Sequence, residues 1–335
     1  MENLVNSSPL ILVLVFLVIG FAFLMKGADF FVEGSSSIAK RLKVPPIIIG
    51  LTIVAMGTSL PETAVSVTAS LVNNNELAVS NVVGSNIFNL MVVVGVCSIL
   101  TPILVQKETI KRDIPFSMIC AFLLLGLGIL AVGDKSGMRL GHLDGMILLG
   151  FFAGYIVAMI RSAMKARAAG KNVEIEGIEE LEEEIGILSW PKSILFIVGG
   201  ALAIAFGGDL TVDAASRIAI DLGMSQTLVG LTIVSIGTSL PELVTSVVAA
   251  RKNEVDMAVG NAVGSNIFNI LMVLGIASAI NPVALIRENI IDIVILIVFS
   301  LIVWIYAATK RKISRKEGIS MVCLYLIYAG YIIWR

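Results

Sequence analysis

The sequence predicts an all-α polytopic membrane protein: ten transmembrane helices arranged as two inverted five-helix repeats. Three observations predict it. Of 335 residues, 57% are hydrophobic and 15% charged, with a mean hydropathy of +0.96; a soluble domain of this size would have too apolar a surface. The apolar residues fall into runs of the ~20 residues that a helix needs to cross the hydrocarbon core. And one passage is written twice, 180 positions apart. Residues 50–62 read GLTIVAMGTSLPE and 230–242 read GLTIVSIGTSLPE, while GSNIFN stands at both 84–89 and 264–269. The register holds without a gap from Gly27-Ala28-Asp29 against Gly207-Gly208-Asp209 to Thr101-Pro102 against Asn281-Pro282.

The expected spans are 9–37, 46–72, 76–100, 114–133, 143–165, 190–219, 226–250, 255–280, 288–309 and 318–334. The first has neither a basic leader nor a small-residue cleavage site before it, so it reads as a span and not a removed signal. The first and sixth are long enough to cross with a strong tilt. The repeat maps the first, second and third spans onto the sixth, seventh and eighth. Residues 1–165 form the first repeat and 190–335 the second. Between them, 166–189 is an acidic cytoplasmic linker carrying Glu174, Glu176, Glu179, Glu180, Glu182, Glu183 and Glu184, read as a solvated, partly helical segment.

Basic residues set the orientation. With the N-terminus outside, the inner loops hold Lys40, Arg41 and Lys43, then Lys107, Lys111 and Arg112, then Arg161, Lys165, Arg167 and Lys171, then Arg251 and Lys252, and finally Lys310, Arg311, Lys312, Arg315 and Lys316. The outer segments hold Lys135, Arg139, Arg217, Arg287 and Arg335. The excess places both termini outside a multi-pass cell-membrane protein. Five spans per half is an odd number, so the second half enters the membrane the other way up, and mid-span elements of both copies meet near the midplane.

Net charge is −1, which gives no field for nucleic acid. His142 is the one histidine, against a histidine metal centre or proton relay. Cys97, Cys120 and Cys323 stand apart in apolar runs and read as small hydrophobes. With no nucleophile–base pair or metal dyad, the chain is not read as an enzyme. It calls for no cofactor and shows no obligatory protein partner; its partners are the lipid bilayer and the ions it carries.

The chemistry sits in the duplicated passages. Each copy sets one glutamate, Glu62 or Glu242, in an otherwise apolar stretch beside a helix-breaking proline. Pro61 and Pro241 free carbonyls near Gly57/Thr58 and Gly237/Thr238, and in lipid such carbonyls must face protein or a wet cavity. Thr58 and Ser59 share a helix face with Glu62, and Thr238 and Ser239 with Glu242. Asn81, Ser85 and Asn89 make a polar stripe at i, i+4 and i+8, repeated as Asn261, Ser265 and Asn269. Asn86 and Asn266 lie off the stripe and are expected to bond neighbouring backbone. Two carboxylates, hydroxyls, amide oxygens and freed carbonyls, with no sulfur or imidazole, suit Ca²⁺, Na⁺ or Mg²⁺; a cage shared between moving helices favours Ca²⁺. A carboxylate at membrane depth needs a compensating cation or proton, so the pattern points to a cation transporter. Lys26 with Asp29, and Asp213 with Arg217, are expected to form structural pairs.

GTSLPE followed by GSNIFN, twice and in inverted halves, resembles the alpha-repeats of the sodium/calcium exchanger family, of the calcium/cation antiporter superfamily, in its prokaryotic form. The resemblance covers nearly the whole chain. It implies ten helices, alternating access, and Na⁺ entry driving Ca²⁺ out through clustered sites on the second, third, seventh and eighth helices. It assigns Ca²⁺ to Glu62 and Glu242 with backbone oxygens of Thr58 and Thr238. It assigns Na⁺ to Ser59, Ser85, Ser239 and Ser265 with backbone oxygens of Ala55 and Ser235, and places Asn89 at the family's amide position. Asn269 stands where many members carry aspartate, which leaves the core at −2 and weakens a case for potassium co-transport. The alternative is a proton-coupled Ca²⁺/cation antiporter, which the serine-rich repeat disfavours because protons need no added hydroxyl ligands; a passive channel is a more distant one.

Overall fold

The computed structural model describes residues 2–71, 75–130, 138–168, 188–224 and 235–334. The described helices are α1 (Glu2–Asn6), α2 (Leu10–Leu42), α3 (Pro46–Thr58), α4 (Leu60–Leu71), α5 (Ala78–Leu100), α6 (Thr109–Ile129), α7 (His142–Ala166), α8 (Trp190–Asp221), α9 (Ser235–Gly237), α10 (Leu240–Arg251), α11 (Val255–Ile280), α12 (Arg287–Lys310) and α13 (Arg315–Trp334). Eight of these are long and apolar enough to cross a membrane, and α3 with α4 makes a ninth candidate bent by 46°. The expected span 226–250 lies partly outside the described residues, as does most of the linker 166–189.

Sequence explains where the helices stop. α2 runs five residues beyond its expected end because Ser35–Leu42 remain compatible with helix. It stops at Lys43, whose backbone is left-handed (φ 54°, ψ 44°). There the amides of Lys43 and Val44 turn back to Lys40 O and Ala39 O at 3.1 Å each, satisfying end carbonyls, and Pro45-Pro46 bar continuation. The same closure recurs 180 residues on, at Gly223 (φ 92°) after α8. The bend between α3 and α4 falls at Ser59 (φ −85°, ψ 13°), just ahead of Pro61, whose ring bars a straight helix through this point.

Burial sorts the helices into shells. In α5 and α11, 78% of the most apolar stretch is buried, against 22% in α2 and 17% in α13. The motif-bearing α5 and α11 are therefore at the centre, and α2 and α13 face outward. α2 and α8 lie antiparallel along a seam of glycines. A methyl group at Gly20 would meet Gly207 O at 3.0 Å, and one at Gly27 would meet Gly200 O at 2.9 Å. One at Gly34 would meet Ser193 O at 2.8 Å. Only hydrogen fits, and the seven-residue spacing keeps the seam on one face of each helix. A second close approach joins α3 to α11, where a methyl at Gly50 would stand 2.6 Å from Met257 O.

Two short antiparallel ribbons tie the ends together. β1 (Ile103–Leu104) pairs with β4 (Lys312–Ile313), and β2 (Arg139–Leu140) with β3 (Val283–Ala284). Each ribbon joins a strand before the linker to one after it. Of the expected ion pairs, Lys26–Asp29 forms at 3.9 Å. Arg217 bonds Asp221 at 3.1 Å, and Asp213 has an interaction of its own. Cys97 and Cys120 are buried thiols and Cys323 is exposed.

Candidate cation site

Glu62 and Glu242 meet at the centre of the protein, each 0% exposed. Glu62 opens α4 and Glu242 opens α10, just past the bends at Ser59 and Ser239. Each carboxylate is held from the other half of the chain. Ser59 Oγ donates to Glu242 Oε1 at 2.8 Å, and Ser239 Oγ donates to Glu62 Oε1 at 3.2 Å. Ser265 Oγ adds a third bond, to Glu242 Oε1 at 3.3 Å. Neither carboxylate has an ion-pair partner among the described residues.

The threonines and the outer asparagines form a second reciprocal layer. Thr58 Oγ1 donates to Asn261 Oδ1 at 3.0 Å and Thr238 Oγ1 to Asn81 Oδ1 at 3.3 Å. Asn81 Nδ2 then donates to Ser66 Oγ at 3.1 Å and Asn261 Nδ2 to Ser246 Oγ at 3.0 Å. Ser66 and Ser246 were not singled out from sequence, although they too are 180 residues apart within the repeat. The two ends of the layer differ. Thr58 and Asn261 are wholly buried, Asn81 is 7% exposed, and Thr238 is only half-buried.

Four further amides lie on α5 and α11, following Ser85 and Ser265 along each helix. Asn86 Nδ2 donates to Asn266 O at 3.1 Å, and Asn266 Nδ2 to Asn86 O at 3.0 Å. Asn89 Nδ2 donates to Asn266 Oδ1, and Asn269 Nδ2 to Asn86 Oδ1, each at 3.2 Å. Asn86 and Asn266 do bond backbone, as the sequence suggests, but the backbone of the opposite helix. Asn89 and Asn269 each begin a π-helical turn, Asn89–Val93 and Asn269–Val273, a widening common at functional sites.

Of the remaining candidates, Ala55 O lies within the site and accepts from Ser59 N at 3.1 Å and Ser265 Oγ at 3.5 Å. Ser235 begins α9, one turn before Ser239. Both are placed on the segments that precede the bends.

Five oxygens in this cluster are buried without a hydrogen-bond partner: Glu62 Oε2, Glu242 Oε2, Asn89 Oδ1, Asn269 Oδ1 and Ser85 Oγ. Leaving such groups unsatisfied costs ~1–3 kcal/mol each, and more for a charged one. All are hard oxygen donors. Such a set suits a dehydrated hard cation.

The comparisons agree with that chemistry. A family model described as sodium/calcium exchanger protein matches residues 12–161 and 192–334. A putative antiporter, CaxA, from Alkalimonas amylolytica is 38% identical over 94% of this chain and 96% of its own length. The sodium/calcium exchanger MaX1 of Methanosarcina acetivorans is 33% identical over 93% of this chain and 96% of its own. Among solved structures, the sodium-calcium exchanger NCX_Mj, soaked with 10 mM Na⁺ and 10 mM Sr²⁺, superposes with a TM-score of 0.81 at 30% identity. The match covers 96% of this chain and 99% of that one.

Proposed function

Because the chain belongs to the sodium/calcium exchanger family, whose members are membrane transporters and not enzymes, we propose that it exchanges Na⁺ for Ca²⁺ by alternating access. Ten transmembrane helices in two inverted five-helix repeats carry the reaction. Glu62 and Glu242, with backbone oxygens of Thr58 and Thr238, bind Ca²⁺. The same carboxylates with Ser59, Ser85, Ser239, Ser265, Asn89, Asn269 and the carbonyls of Ala55 and Ser235 bind Na⁺. The observation that carries this reading is the pair of carboxylates, fully buried and facing each other's serines, each with one oxygen unpartnered. Two like charges at that depth need a cation or a proton to compensate them, and the surrounding hydroxyl and amide oxygens favour a cation. Sharing the oxygens makes Ca²⁺ and Na⁺ compete, and competition for one charged site enforces exchange.

The unequal burial of the two ends supports a conformation open on one side. With both termini outside, α3 starts from the inner surface, so the sealed Thr58–Asn261 end points inward and the more exposed Thr238–Asn81 end outward. A sealed inner end and a wetter outer end describe the outward-facing member of an alternating pair.

The test is Ca²⁺ uptake into proteoliposomes loaded with Na⁺, compared with K⁺-loaded vesicles and with an imposed pH gradient. Uptake driven by the Na⁺ gradient alone is expected. Uptake driven by pH alone would assign the chain to the proton-coupled class, and uptake indifferent to both gradients would make it a channel. Intact exchange in Glu62→Gln or Glu242→Gln would overturn the site.

A further inference from the structure

The four inner asparagines form two chains, Asn86 with Asn269 and Asn266 with Asn89, and a backbone carbonyl fixes each chain. A backbone carbonyl only accepts, so the amide group that meets it must present its NH₂. Asn86 meets Asn266 O and Asn266 meets Asn86 O. Each must therefore turn its Nδ2 to the opposite helix, which leaves its Oδ1 facing Asn269 or Asn89. That oxygen in turn only accepts, so Asn269 and Asn89 must offer their Nδ2 to it, at 3.2 Å in both cases. Asn89 Oδ1 and Asn269 Oδ1 then point the other way, unpartnered and 0% exposed, one helical turn past Ser85 and Ser265, the second of which bonds Glu242. Turning either amide round would set two donors against a cation and two oxygens against each other.

We propose that Asn86 and Asn266 are positioning residues that lock the amides of Asn89 and Asn269 with oxygen, and not NH₂, toward the transported cation. This rests on the site reading given above. Neither Asn86 nor Asn266 touches the ion; both act through the neighbour whose amide they orient. The lock is built from backbone carbonyls of α5 and α11, which do not rotate as side chains do, so the orientation survives when the ions leave. The oxygens are then preorganised, and no amide has to turn before each binding event. The two halves of the lock are separate: a backbone carbonyl that survives truncation holds each asparagine, so losing the Asn86 side chain frees the amide of Asn269 and losing that of Asn266 frees Asn89.

Binding of Ca²⁺ and of Na⁺ to the purified protein, by calorimetry, tests this in Asn86→Ala and Asn266→Ala, with Asn86→Asp as the conservative variant. Aspartate keeps an oxygen to accept from Asn269 Nδ2 while losing the bond to Asn266 O. Affinity is expected to fall about 10-fold in the alanine variants and to be partly restored in Asn86→Asp, with thermal unfolding that remains cooperative. Wild-type affinity in the alanine variants overturns the proposal, provided that Glu62→Gln abolishes binding in the same assay. Binding by Glu62→Gln instead overturns the site itself. A second measurement needs no variant that must fold. In wild-type protein carrying ¹³C-labelled asparagine, adding Na⁺ or Ca²⁺ should shift the labelled side-chain carbonyl band in the infrared difference spectrum. No shift would mean that the amide oxygens do not face the ion.

Discussion

Lys252 reaches Asp29 twice: its ammonium donates to Asp29 O at 3.0 Å and lies 3.5 Å from Oδ1. Lys252 sits in the turn between α10 and α11, and Asp29 just past the middle of α2. Two turns further along α2, Ser36 donates to Glu254 Oε1 of the same turn. The positions 180 residues earlier are Val72 and Asn74, so the duplicated sequence carries no charged side chains there for an ion pair. A fastening on one side only biases a two-state protein toward the state that contains it. Lys252→Met is therefore expected to loosen α2 from the turn while leaving ion affinity intact. The pair is 27% and 37% exposed, so ~1 kcal/mol or less is at stake, a population shift of at most about 5-fold. Hydrogen exchange at Gly34–Ile38 measures it; an unchanged rate means the pair is incidental.

The glycine seam predicts a contrast between neighbours. A methyl at Gly200 would lie 2.7 Å from Gly27 O, whereas one at Gly199 meets nothing within 4 Å. Gly200→Ala should destabilise by roughly 1–3 kcal/mol through overpacking, and Gly199→Ala should be neutral or mildly stabilising, since alanine is the better helix former. Thermal unfolding in one detergent decides between them. Equal melting temperatures would mean that α2 and α8 separate more readily than the seam allows.

Tyr155 OH donates to Leu51 O at 3.1 Å, inside the π-helical turn Gly50–Val54 of α3. Tyr155→Phe removes that bond, worth about 1 kcal/mol, and keeps the stack on Phe116 at 5.4 Å. Turnover should fall several-fold while the Ca²⁺ concentration for half-maximal uptake stays put, because the turn lies on the path of the helix and not at the ion. A change in half-saturation alone would place Tyr155 in binding.

Filling the unpartnered oxygens should stabilise the fold. At 100 times its dissociation constant an ion adds about 2.7 kcal/mol. Na⁺ and Ca²⁺ should each raise the melting temperature, K⁺ and Mg²⁺ should do so far less, and Glu62→Gln should erase the difference. Equal stabilisation by all four cations would point to surface charge.

Much of the candidate site is legible in the amino-acid sequence. The duplicated GTSLPE and GSNIFN passages name both glutamates, their serines and the amide stripe, because a carboxylate repeated at membrane depth has to be compensated by a cation or a proton. Hydropathy locates most of the described spans to within a few residues. What stays hidden depends on which helices meet. Asn86 and Asn266 read as local backbone partners because one sequence cannot say whose backbone is near. Gly20, Gly27, Gly34, Gly200 and Gly207 carry a seven-residue spacing in plain view, yet it acquires meaning only once α2 and α8 are antiparallel. The π-helical turns have no sequence signature.

The ribbons set a timetable for biosynthesis. β1 at Ile103–Leu104 has no strand to pair with until β4 at Lys312–Ile313 has left the ribosome, and β2 waits likewise for β3 at Val283–Ala284. The bonds from Ser59 to Glu242 and from Ser239 to Glu62 also wait for the second half of the chain. The nascent first half therefore sits in the bilayer with an ionisable Glu62 and an unpaired strand for much of translation. That is a natural point for membrane quality control to act, and a reason for premature stops late in the gene to be as damaging as early ones.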